Sequence, residues 1–327
     1  MGKIRAGVIG VGYLGKYHAQ KYGAMDGVEL VGVADIDQEK ADSISADLGC
    51  RSFNRYQDLL PLVDALSIVV PTTFHHQVAS DCIEAGVDIL LEKPMTVTLE
   101  EADDLIRKAS DHKTILQVGH LERFNPAIQA MEPSLHRPLF IESNRIHIFK
   151  NRAVDVDVVL DLMIHDIDII LSIIDSPIKT IHTVGAPVVT KTTDIANARI
   201  IFENGATANV TVSRISKTNV RKMRIFQPGS YITVDFAHRK VMVIYLKGDL
   251  MDNGTVKQEI EVKEFSEGDA LKSEIQHFVG NVRERTRPLV SGIEGRRALD
   301  VALQVIEQIR EYQKFIHYES YCSSLDQ

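Results

Sequence analysis

The sequence predicts an α/β chain of two domains: an N-terminal doubly wound parallel sheet, then a C-terminal α+β domain built on a largely antiparallel open sheet. Three observations carry this prediction. The chain has 327 residues, more than a single hydrophobic core usually supports. Its first third alternates short apolar runs with helical patterns, the mark of successive strand–helix–strand units. Beyond Gly119 the rhythm changes to long stretches in which apolar and polar residues alternate, as in strands that bury one face.

Taken in order, Ile4 to Ile9 reads as the first strand, and a helix from Leu14 to Gly23 follows. Val28 to Ala34 supplies a second strand ending at Asp35, with a helix starting near Asp37. Ala65 to Val70 and Val87 to Leu91 are continuous apolar runs of the kind buried on both faces. The helix Leu99 to Ser110 and the strand Thr114 to Val118 complete the unit. In the second part, Phe140 to Phe149, Ile195 to Phe202, Thr207 to Ser213 and Lys240 to Leu246 alternate as antiparallel strands. Helical patterns cover Val156 to Ile174, Ala270 to Arg285 and Ile293 to Phe315. The division falls between residues 1–121 and 122–327. An open sheet with helices on one face leaves the other to bury, so a homodimer or homotetramer is expected. The run Arg221-Lys222-Met223-Arg224 reads as cationic protection of a strand edge.

Composition removes several classes of function. With 44% hydrophobic and 25% charged residues the chain is an ordinary globular protein. A net charge of -8 leaves no broad basic footprint for nucleic acid. No apolar span of about 20 residues or lipidation pattern points to a membrane. Cys50, Cys82 and Cys322 are odd in number and far apart, which suits free thiols rather than a disulfide framework or metal spacing. The start of the chain shows no cleavage-site pattern, so a cytoplasmic protein is expected.

The most informative segment is Gly10-Val11-Gly12-Tyr13-Leu14-Gly15, which follows the first strand and opens the first helix. Gly10 permits the tight turn, Gly12 lets a pyrophosphate approach the backbone, and Gly15 allows close packing of helix on strand. The helix N-terminus then faces the anion. Asp35, twenty residues beyond Gly15, suits the ribose hydroxyls and repels a 2'-phosphate, so a Rossmann domain binding NAD rather than NADP is expected. Lys40 weakens that preference. A glycine turn that merely joins strand to helix is the alternative.

Two further clusters carry chemistry. Glu92-Lys93-Pro94 stands at the C-terminal end of a strand, where open α/β sheets place their ligands, although a surface lysine before a turn reads the same way. In Asp161-Leu162-Met163-Ile164-His165-Asp166-Ile167-Asp168, helical spacing puts Asp161, His165 and Asp168 on one face. That face either lines a cavity, meets solvent, or supplies metal ligands. No third strong ligand accompanies it, so no metal is expected.

Together, Gly10 to Gly15, Asp35, Glu92-Lys93-Pro94 and Asp161-x-x-x-His165 resemble the glucose-fructose oxidoreductase and inositol dehydrogenase family over essentially the whole chain. Pro71-Thr72-Thr73-Phe74-His75 is similar to that family's cofactor-lining loop, with Thr72 where Asn is common. The resemblance implies an NAD-dependent dehydrogenase, with Lys93, Asp161 and His165 catalytic and no metal. Oxidising a secondary alcohol needs a base of near-neutral pKa, which suits His165, while Lys93 steadies the developing alkoxide and Asp161 orients both. The cofactor-binding set is then Gly10, Gly12, Tyr13, Leu14, Gly15, Asp35, Pro71, Thr72, His75, Glu92 and Lys93; of the adjacent His75 and His76, at most His75 faces the loop.

Gly119-His120-Leu121-Glu122-Arg123-Phe124-Asn125-Pro126 and the glycine-free Asp155 to Leu160 are similar to a subgroup acting on UDP-N-acetylglucosamine at the sugar 3-hydroxyl, in lipid A diamino-sugar synthesis. That resemblance implies a UDP-sugar substrate, with Lys93, Arg123, Asn125, Arg152, Asp161 and His165 in contact with it. Lys150 and Arg214 are further candidates for the diphosphate, and Glu122 for a sugar hydroxyl. A dehydrogenase of a free cyclitol or monosaccharide, and a non-catalytic NAD(H) sensor or scaffold, are the rival readings.

Overall fold

The computed structural model describes residues 2–149, 156–248 and 257–315. Lys150, Arg152, Asp155 and Cys322 lie outside the described residues. The chain forms two compact units, Met1–Phe124 with Asp269–Leu299, and Asn125–Gly268 with Asp300–Gln327. The segment Asp269–Leu299 thus belongs to the first unit, which a single cut after residue 121 does not provide for.

The first unit is built on six parallel strands: β1 (Ile4–Ile9), β2 (Val28–Ala34), β3 (Arg51–Phe53), β4 (Ala65–Ile68), β5 (Asp88–Glu92) and β6 (Leu116–Gly119). Their order is β3-β2-β1-β4-β5-β6. Successive strands from β1 run outward in one direction to β3 and then return past β1 to β4, so the loops leaving β1 and β4 diverge and open a crevice at their C-terminal ends. The helices are α1 (Tyr13–Gly23), α2 (Gln38–Leu48), α3 (His75–Glu84) and α4 (Leu99–His112). Thr98 starts α4 with a reciprocal cap, its hydroxyl accepting from Glu101 N–H while the Glu101 carboxylate accepts from Thr98 N–H.

In the second unit eight strands run β7 (Phe140–Ile148), β8 (Ile178–Ala186), β9 (Ile195–Phe202), β10 (Thr207–Ser216), β11 (Val220–Gln227), β12 (Ser230–Asp235), β13 (Lys240–Lys247) and β14 (Lys257–Glu264). They are ordered β14-β13-β12-β11-β7-β10-β9-β8, antiparallel except for the interior pair β7 and β10. Strands β8, β11, β12 and β14 go beyond the alternating runs singled out in the sequence. Ile141, Ser143 and Arg145 of β7, with Ala208, Val210 and Val212 of β10, are buried on one face. The short helix α5 (Pro126–Met131) and α6 (Ile164–Ile173) belong to this unit, α6 packing on β10. On the other face Val184, Ile195, Ile148, Leu246, Ile260 and Val262 stand exposed.

The helix α7 (Ala270–Glu284) packs in the first unit: Ile275, Phe278, Val279 and Val282 are buried in one cluster with Val8, Ala19, Tyr22 and Val33. Arg285, with φ 53°, ends it in the left-handed conformation, and α8 (Gly292–Phe315) follows.

The basic run Arg221 to Arg224 does not protect an edge. It lies in β11, an interior strand between β12 and β7. Lys222 pairs with Asp235 at 3.3 Å and Arg224 with Glu142, so these cations match carboxylates on neighbouring strands.

Candidate active site

The turn after β1 is shaped by sterics. Gly10 has φ +85°, and a Cβ there would stand 2.6 Å from the Val69 carbonyl oxygen, in the loop after β4. At Gly15 a Cβ would fall 1.8 Å from the Gly10 oxygen, so α1 could not start where it does. Gly12 occupies the cap position of α1, where no side chain accepts from the first N–H groups, and a Cβ on it would meet nothing within 4 Å. Bare N–H groups beside open space at a helix N-terminus suit a pyrophosphate. A cleft of ≈ 680 Å³ runs from Gly10 and Gly12 past Asp35 and Ile36 to Pro71 and Phe74.

Asp35 does more than face this cleft. Its Oδ2 accepts from Val11 N–H at 2.8 Å and its Oδ1 from Asp37 N–H at 3.0 Å. Each oxygen keeps a second lone pair for a ribose hydroxyl, while the negative charge opposes a phosphate. Lys40 sits 2.8 Å from Asp37, and this bond holds the Asp37 carboxyl below its ordinary value. The cation is therefore directed at Asp37. Tyr13 is largely exposed, Leu14 half-buried and Gly15 buried. The glycine turn, Asp35 and the cleft together fit a dinucleotide.

Past β4, Pro71 is exposed and Thr72 half-buried at the start of a single helical turn, Thr72–Phe74. His75, 1% exposed, puts Nδ1 2.9 Å from the Pro94 oxygen and Nε2 2.8 Å from the Val70 oxygen. Its ring thus ties this loop to the Lys93–Pro94 turn. Burial pushes its pKa down, more than the carbonyls and the Glu92 charge push it up. His76 turns away, 2.9 Å from Asp104 on α4. Glu92 is buried at the end of β5, Lys93 is half-buried after it, and the Lys93–Pro94 peptide is cis. The Glu92 carboxylate accepts from Lys93 N–H at 3.2 Å and lies 3.2 Å from His18 Nε2. His18 is a residue that the motif reading passed over; its place one turn into α1, facing β5, could have drawn notice.

In the second unit, the segment carrying Asp161 departs from a simple α-helix. Val159–Met163 is a π-helical turn, and α6 continues from Ile164. A π-turn advances less per residue, yet the four-residue step from Asp161 to His165 still returns close to one full turn. Both are half-buried, whereas Asp168 is buried. Asp166, given no role by the sequence, is 1% exposed and accepts from Arg145 Nε at 2.8 Å, Arg145 Nη2 at 3.2 Å and the Ser143 hydroxyl at 2.9 Å. The Arg145 guanidinium also lies 5.3 Å from the centre of the Phe236 ring. This network fixes the rotation of the helix that presents His165.

Arg214 and Asn125 bond to neighbouring groups of the second unit. Arg214, 6% exposed, bonds the carbonyls of Val156 and Thr193 and lies 3.6 Å from Asp194, so it braces the approach to the π-turn rather than awaiting a diphosphate. Asn125 caps α5, its Oδ1 accepting from Ala127 N–H at 3.1 Å while its amide donates to the Phe236 carbonyl at 3.4 Å. Glu122 and Arg123 are each 8% exposed in the turn Leu121–Phe124.

Comparison with known proteins agrees with this geometry. A family model described as an oxidoreductase family with an NAD-binding Rossmann fold matches residues 4–120, and one described as a GFO/IDH/MocA C-terminal domain matches residues 132–228. The chain belongs to the GFO/IDH/MocA oxidoreductase family. Within it, the UDP-N-acetylglucosamine 3-dehydrogenase of Acidithiobacillus ferrooxidans is 40% identical over 303 residues, 92% of this chain and 96% of the relative. The solved structure of that organism's enzyme GnnA superposes with a TM-score of 0.88 at 38% identity, covering 95% of this chain and 99% of that one. The scyllo-inositol 2-dehydrogenase (NAD(+)) of Bacillus subtilis is 28% identical over 334 residues, 94% of each chain. As a GFO/IDH/MocA oxidoreductase, the chain uses NAD. No helix among the described residues is long and apolar enough to cross a membrane.

Proposed function

We propose that this GFO/IDH/MocA protein oxidises the 3-hydroxyl of UDP-N-acetylglucosamine to a ketone, with NAD as oxidant. The observation that carries this reading is the 40% identity to a UDP-N-acetylglucosamine 3-dehydrogenase over nearly the full length of both chains. Gly10, Gly12, Gly15 and Asp35 hold the adenosine and pyrophosphate end of the cofactor. When bound, NAD supplies the acceptor for the hydride that leaves the carbinol carbon. His165, as a neutral imidazole, takes the hydroxyl proton. The Lys93 ammonium donates to the sugar oxygen as its negative charge develops, and Asp161 orients these groups. Proton and hydride leave the same carbinol, so the product is a ketone two hydrogens lighter. Arg123 and Arg152 are the cations we assign to the diphosphate, since guanidinium pairs of bonds suit phosphate oxygens.

The apolar residues exposed on the open face of the second sheet support self-association as a homodimer or homotetramer through that face. Light scattering that returns a strict monomer contradicts it. A cytoplasmic setting keeps thiols such as Cys50 and Cys82 reduced.

Single-turnover incubation with NAD and a panel of UDP-sugars and free polyols tests the substrate. NADH formation with UDP-N-acetylglucosamine, and a product lighter by two hydrogens, is expected. NADH formation confined to a free cyclitol or monosaccharide contradicts the proposal.

A further inference from the structure

The first unit buries an ion-pairing cluster to which the proposed chemistry gives no task. His18 is 0% exposed on α1. Its Nε2 stands 3.2 Å from Glu92 Oε1, its Nδ1 stands 3.0 Å from Ser67 Oγ, and that oxygen is 2.9 Å from the Tyr22 hydroxyl. The second Glu92 oxygen accepts from Lys93 N–H. One assignment of protons satisfies every group. An ionised carboxylate only accepts, so His18 donates through Nε2; its Nδ1 accepts from Ser67, and Ser67 accepts from Tyr22. The imidazole is then neutral and the carboxylate charged. Gly119 leaves room for this carboxylate and no more, since a Cβ there would come 3.0 Å from Glu92 Cδ.

We propose that His18 is a positioning residue for Lys93: it holds the Glu92 carboxylate in place, and Glu92 in turn anchors the Lys93 backbone and sets a negative charge beside the Lys93 ammonium. The inference rests on the role given to Lys93 above. Burial pushes the Glu92 carboxyl up, while the His18 bond, the Lys93 charge and the Lys93 N–H oppose it, and the carboxyl lies below its ordinary value. Without the His18 donor less opposes burial, so Glu92 takes its proton at higher pH. Two other titratable groups feel this cluster. His75 of α3 is drawn upward by the Glu92 charge, and Tyr22, raised by burial and by Glu274 of α7, stays a donor throughout.

Two variants test this. His18→Leu removes both ring nitrogens, whereas His18→Gln retains an N–H donor toward Glu92. For His18→Leu, kcat falls by about tenfold or more, NADH affinity stays within about threefold, and the acid limb of the kcat profile moves up by about one pH unit. His18→Gln recovers most of kcat and returns the limb toward its original pH. Independently of turnover, nitrogen NMR of labelled histidine is expected to show the His18 ring carrying its proton on Nε2. A His18→Leu protein with a lower melting midpoint but unchanged kcat and acid limb overturns the proposal, as does a ring protonated on Nδ1. Should His18→Leu fail to fold, His18→Gln and the ring spectrum decide it. Lys93→Met separates the two layers. Full turnover in Lys93→Met removes the role on which this inference rests, while a dead Lys93→Met beside a fully active His18→Leu overturns only the part given to His18.

Discussion

The glycine turn of the first unit and the helix bearing His165 in the second are held in place by different means. The turn is backbone against backbone: Gly10 close to the Val69 carbonyl, Gly15 close to the Gly10 carbonyl. Nothing larger than hydrogen fits, and no compensating change elsewhere restores the space. The helix is held by side chains, with Arg145 and Ser143 of β7 gripping Asp166 one position beyond His165. Such a grip is specific but replaceable, because a pair of apolar residues can fill the same volume. The first kind of region tolerates no substitution, and the second tolerates only matched ones.

Gly15→Ala strains that contrast most. With 1.8 Å between the new Cβ and the Gly10 oxygen, the turn must open. We expect a loss of about 4 kcal/mol or more in stability, readable by denaturant unfolding, and no measurable NADH binding by fluorescence titration. His165→Asn, in the other region, should leave NADH binding intact while turnover falls by about 10²- to 10⁴-fold, the usual contribution of a general base. Parental turnover in that variant removes the role of His165.

Arg145→Met and Asp166→Leu sharpen the comparison from the second region. Each alone strands a buried charge or its donors, at a cost of about 3–5 kcal/mol. Arg145→Met combined with Asp166→Leu should recover most of that stability, an outcome that no second substitution beside Gly15→Ala could give. A double variant as unstable as the sum of its singles contradicts the replaceable grip. Smaller still is Asp35→Ser. The carboxylate accepts from Val11 and Asp37 N–H groups, so the loss should cost about 1–3 kcal/mol. NADH affinity should drop about tenfold and its advantage over NADPH should narrow. Unchanged discrimination would remove Asp35 from cofactor choice.

The same contrast explains what could be read from the residues alone. Gly10, Gly12, Gly15 and Asp35 were legible because their constraint is local: glycine spacing encodes the turn, and the turn sits between a strand and a helix that periodicity reveals. Four strands of the second sheet, β8, β11, β12 and β14, follow from alternation less directly, since β14 is exposed throughout and β11 carries cations on its open face. The partners of Asp166 were not legible, because Arg145 lies 21 residues away and meets it only once the sheet and helix are packed. One clue was present. Arg145 shares the phase of Ile141 and Ser143 along an alternating strand, and a buried guanidinium needs a carboxylate. His75 and Arg214 read ambiguously for a related reason: a polar residue near a functional loop looks the same whether it binds a ligand or the backbone, and both bond backbone carbonyls here.

The central claim is that a hydride leaves carbon 3 of the sugar ring of UDP-N-acetylglucosamine for NAD. The most direct measurement incubates the protein with NAD and the substrate carrying deuterium at that carbon, followed by mass analysis of the reduced cofactor and the sugar product. Deuterated NADH, with a ketone product that has lost its deuterium, is the predicted result. Unlabelled NADH, or a sugar product that retains the deuterium, would contradict the account.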